Sequence, residues 1–177
     1  MPLMRFIAAV VFCLLLATPL NGQKGKREPL TEAQVDQIRE TGINPDARVA
    51  LYTKFLNEHA DKIKELTSRV HSPARTSRLD DELQDFTALM DELGSNLDIY
   101  SDRKADIRKA LKALNEGTGR WLGVLHALPG ELGFDLSRKE AIESGEDLTE
   151  QAKRLDLELT EYFKLHKERS GQDREEP

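Results

Sequence analysis

The chain has 177 residues, 33% of them charged, and its 26 Lys plus Arg against 32 Asp plus Glu give a net charge of −6. That length fits a single domain, and the acidic balance excludes a general nucleic-acid binder, which needs a basic face. Interior Gly and Pro are few and β-branched runs are rare, which argues against an all-β fold.

Residues 1–22 read as a secretion signal. Arg5 supplies a short positive start, and residues 6–17 (FIAAVVFCLLLA) form an unbroken apolar run. The run is shorter than the roughly 20 residues a membrane span requires and suits the apolar region of a signal peptide. Thr18, Pro19, Asn21 and Gly22 break it, placing cleavage near Gly22/Gln23. The protein is expected to be exported, to the periplasm or the medium, with no stable membrane insertion after cleavage. Cys13, the only cysteine, lies inside the signal. The mature chain therefore has neither a disulfide nor a thiolate nucleophile.

Residues 23–29 are polar and read as a disordered linker. A single helical domain is expected over 30–167. Leu30-Thr31-Glu32-Ala33-Gln34-Val35 is a helix start: Thr31 caps, Gln34 reaches back to it, and Leu30 and Val35 form the staple. Gly42 ends this short helix. Asn44 and Pro45 then open a second one, predicted over 46–71. Its apolar positions, Val49, Tyr52, Leu56, His59, Ile63, Leu66 and Val70, step by 3 and 4, the pattern of a helix packed along a neighbour. Leu51 and Phe55 lie beside that seam and form a candidate protein-interaction surface, to be covered by the short helix or by a second copy.

The third segment keeps one register from Leu79 through Tyr100 to Ile107, Leu111 and Leu114, and resumes at Trp121, Leu125 and Leu128. Two arrangements satisfy it. One is a single helix over 75–115, about 60 Å long at about 1.5 Å per residue. The other reverses the chain near Tyr100-Ser101-Asp102 and gives four helices of similar length. The absence of Gly and Pro between Ser95 and Glu116 favours the first, and equal helix lengths favour the second. The stretch Asn115-Glu116-Gly117-Thr118-Gly119 is a predicted kink or break. Ser137 and Glu140 form a second capping box, opening a last helix to residue 167 with a seam at Leu148, Ala152, Leu155, Leu159, Tyr162 and His166. Residues 168–177 are read as a disordered tail. The fold class is thus all-α: an elongated antiparallel bundle of three long helices plus a short N-terminal one, with a four-helix up-down bundle as the alternative.

Chemistry-bearing patterns are scarce. Residues 79–102 hold eight acids and no Lys or Arg, which reads first as a solvated face with acids toward a helix N-terminus. The histidines, His59, His71, His126 and His166, show no i, i+4 pair and no HExxH. His59 and His166 read as partly buried contact residues on seams. Nucleophile-elbow, phosphate-loop and calcium-loop motifs are absent. No catalytic, cofactor-binding or metal-ligating residue is assigned, and the chain is read as non-enzymatic.

Leu30-Thr31-Glu32-Ala33-Gln34, followed by Gln37-Ile38-Arg39, resembles the LTxxQ motif of small periplasmic all-helical stress and chaperone proteins, the Spy/CpxP-like family. That resemblance implies curved helical dimers holding unfolded clients, and zinc binding in some relatives. The family's second motif has its nearest counterpart at Leu148-Thr149-Glu150-Gln151, where the Gln stands one position early. The leading expectation is an exported helical interaction or scaffold protein with a protein partner or a second copy of itself. The alternative is an LTxxQ-type periplasmic chaperone, and a metal-binding sensor is third.

Overall fold

The computed structural model describes residues 28–172, with side chains through residue 167. The predicted signal, residues 23–27 of the predicted linker and residues 173–177 of the predicted tail lie outside them. The described residues are all-helical: α1 (Glu32–Glu40), α2 (Pro45–Ser68), α3 (Pro73–Asp102), α4 (Arg108–His126) and α5 (Asp135–Gln172).

Three helix starts follow from local chemistry. The Thr31 hydroxyl accepts from the Gln34 amide and the Gln34 carboxamide accepts from the Thr31 amide, a complete capping box. Asn44 accepts from the Ala47 amide ahead of Pro45. Ser72 accepts from the Arg75 amide ahead of Pro73. Gly42 takes a φ of 56°, the left-handed turn between α1 and α2.

The long third segment is two helices. α3 stops at Asp102, and residues 103–107 form a loop in which Lys104 takes a φ of 49° and the Ala105 amide donates to the Tyr100 carbonyl. The apolar register crosses this break because Ile107, ahead of α4 and not helical, still plugs the end of the core with no exposed surface. Residues 115–119 are uninterrupted helix. Gly117 faces the Trp121 indole so closely that a Cβ there would stand 2.9 Å from the ring, so this glycine makes room for the ring.

The last helix also departs from the reading. It begins at Asp135, two residues before Ser137, and the Ser137 hydroxyl donates to Asp80 on α3 at 2.6 Å. Buried Phe134 anchors the turn ahead of it. The helix runs on to Gln172, past the expected end at residue 167.

α2 packs on α3 and α4, and α5 packs on α3 and α4. The loop at 103–107 therefore joins helices across the diagonal of the bundle. Chain direction alternates, so α2 and α4 are parallel neighbours, as are α3 and α5. Asp46 accepts from the Ala110 amide and Asn57 from the Trp121 indole, at nearly equal sequence offsets. On the other side Ser137, Ser144 and Gln151, spaced by heptads on α5, donate to Asp80, Asp91 and Asp98 of α3, each at 2.6 Å. The core is one cluster from Val49 to Leu159, with Phe86 and Trp121 edge to face at its centre.

Candidate functional site

The residues singled out from the sequence do not form an open surface. Phe55 is 1% exposed and belongs to the core; Leu51 is half-buried against that core, as are Leu30 and Ile38 from the α1 segment. Leu51 and Phe55 therefore do not form the expected open strip. α2 is flanked by α1, α3 and α4, so its buried arc is wider than a two-position seam, and Phe55 falls inside it.

Five of the eight acids read as a solvated face are interhelical acceptors. Asp80, Asp91 and Asp98 take the α5 donors described above, Glu92 accepts the Tyr52 hydroxyl, and Glu82 turns toward α2. Burial, reinforced by the Glu92 carboxylate, raises the Tyr52 phenol beyond its ordinary range.

Glu82 is the most enclosed acid described, with 4% of its side chain exposed. The His59 Nδ1–H donates to it at 2.7 Å, and Lys62 pairs with its other oxygen. Burial works to raise the Glu82 carboxyl, but the hydrogen bonds and charges of His59 and Lys62 outweigh it and hold the group below the usual glutamate range. Glu28, Pro29 and Leu30 close over this cluster, with Gln34 beside them. Thr31, the hydroxyl residue that lines this cleft, is engaged in its own cap with Gln34. The cluster is built to hold α2 against α3 beneath the N-terminal segment. His166, expected to be partly buried, is exposed, and its Nδ1 donates to the Tyr162 carbonyl.

A second polar cluster clasps the loop end of the bundle. Arg75, 7% exposed, donates to the Leu66 carbonyl at the end of α2 and to Glu131 ahead of α5. Nothing in the sequence marked this residue, because Leu66 and Glu131 come from separated segments.

One cleft has a mainly apolar floor. It lies between parallel α2 and α4, has a volume of about 420 Å³, and is lined by Thr67, Ser68, Gly123, Val124, Ala127 and Leu128. Lys64 and Arg120 stand at its rim. Arg120 donates to the Asn57 carboxamide, and neither cation pairs with a carboxylate among the described residues. The cleft between α3 and α5, by contrast, is lined by Asp91, Asp98, Asp147 and Glu150 against one cation, Arg154.

Among the described residues no three His, Cys, Asp or Glu side chains are grouped to hold a metal ion, and no helix is long and apolar enough to cross a membrane. Comparison with family models, curated proteins and solved structures returns no match.

Proposed function

We propose that this protein is an exported, non-enzymatic helical interaction protein that holds one protein partner at fixed stoichiometry. Export rests on the apolar run at 6–17 and its polar break. The reading is supported above all by the burial of most of the apolar seam positions; Val70, predicted at the end of a helix over 46–71, is an exception, standing 90% exposed beyond the end of α2 at Ser68. Phe55, Leu83, Leu111 and Trp121 are all inside the core, and among the described residues the open apolar surface is a cleft of about 420 Å³ plus scattered side chains. A holdase for unfolded clients needs a broad accessible apolar face; a cleft of this size accepts a few side chains of one folded partner.

The experiment has two arms. The exported protein is mixed in several-fold molar excess with a chemically denatured client, and light scattering is followed; no suppression of aggregation is expected. Chemical crosslinking in the native envelope or secretome is expected to give a single adduct of constant mass. Suppression of aggregation, with no discrete adduct, overturns the reading in favour of the LTxxQ-type chaperone.

A further inference from the structure

We infer that the cleft between α2 and α4 is a docking groove for an amphipathic helix of a partner protein whose apolar side chains are flanked by carboxylates. The inference rests on the interaction-protein reading above and names the chemistry of the partner.

Charge selects the occupant. The chain carries a net charge of −6, yet the rim of its apolar cleft holds two cations, Lys64 and Arg120, that lack a carboxylate partner among the described residues. A ligand bringing acids to both edges gains two charge-assisted contacts there and is disfavoured at the opposite α3/α5 face, where four carboxylates line the cleft. A basic or purely apolar segment gains neither contact.

Shape selects a helix. The groove runs between two parallel helices, and its floor of Val124, Ala127 and Leu128 offers apolar contact to side chains spaced by three and four residues. A Cβ built on Gly123 meets nothing within 4 Å, so an incoming backbone can approach closely there. Beyond the end of α2 and ahead of α5, Val70 and Leu132 stand 90% and 99% exposed, next in sequence to His71 and Glu131, which are in contact. The molecule already seats one helix of this kind on the other flank of α2: α1 bears Glu32, Asp36 and Glu40 and packs Ile38 against the core.

The test uses the exported chain and two short synthetic helical peptides. Both carry leucine at i, i+3, i+4 and i+7; one is flanked by glutamate and the other by lysine. Titration calorimetry is expected to show one-to-one binding of the glutamate peptide, weakening with added salt, and no binding of the lysine peptide. Lys64→Glu and Arg120→Glu should each weaken binding by about tenfold. Gly123→Leu should abolish it by filling the groove. That variant also replaces a helical glycine facing open space, so its melting temperature should not fall, and lost binding cannot be assigned to lost fold.

Equal binding of the two peptides, no binding of either, or full binding by Gly123→Leu each overturns the inference. So does self-association of the wild type that Gly123→Leu abolishes, which would assign the groove to a second copy. If the peptides fail while crosslinking still yields one adduct of constant mass, the groove is rejected and the interaction-protein reading stands.

Discussion

Asn57 of α2 and Trp121 of α4 stand side by side on parallel helices, and the Asn57 carboxamide oxygen accepts the Trp121 indole N–H at 2.8 Å. Trp121 has no exposed surface, so this acceptor is what lets the largest core side chain carry its polar atom inside. Asn57→Leu strands the indole N–H and should cost about 1–3 kcal/mol. Trp121→Phe removes the donor, so in a Trp121→Phe background the same Asn57 change should cost markedly less. Urea midpoints of the four proteins check this coupling; additive losses would show that the pair is not coupled.

The Glu82 cluster makes stability depend on pH. The folded carboxyl titrates below the 4.5 of a free glutamate, so its contribution is complete above about pH 4.5 and is lost as pH falls through the folded value. The groups facing it are His59 and Lys62 on α2, with Glu58 and Asp85 near the same cleft. Glu82→Gln should lower stability at pH 7 by about 1–3 kcal/mol and flatten its decline between pH 4.5 and the acid limit. Denaturant melts across that range measure both effects. A variant whose stability falls with acid as steeply as wild type would show that another carboxylate carries the dependence.

Leu83 and Leu111 are both fully buried, on α3 and α4. An aspartate at either position places a charge in the core, and each substitution should cost about 4 kcal/mol or more. Loss of helical circular dichroism or a large drop in melting temperature is expected for both.

Arg75 joins the end of α2 to the segment ahead of α5. Arg75→Met should cost about 2–4 kcal/mol, because it leaves the Leu66 carbonyl and the partly buried Glu131 without their cation. Native-state hydrogen exchange should show the end of α2 opening first. Protection unchanged there would remove Arg75 from the role of clasp.

Gly117→Ala separates helix propensity from packing. The substitution favours helix by about 1 kcal/mol, but its Cβ would stand 2.9 Å from the Trp121 ring. A net loss of stability and a shift in tryptophan emission are expected. A stabilised variant with unchanged emission would show that the ring yields freely.

The helical class, the caps at Thr31 and Asn44, the turn at Gly42 and nearly all of the leucine seam were legible in the sequence. Each is set by groups within a few residues of one another or by a period the helix itself imposes. Tertiary structure decided what depends on distant partners. The chain breaks at 103–107 even though Ile107 keeps the apolar register, because a buried loop residue satisfies the same spacing as a helical one. Ser137 donates to Asp80 instead of capping a helix. Five of the eight acids of α3 are interhelical acceptors, and Phe55 lies in the core because three helices flank α2. The apolar groove exists only because α2 and α4, far apart in the chain, lie parallel and in contact. A sequence pattern records which face of a helix is apolar; which neighbour covers that face is fixed by packing across the whole bundle.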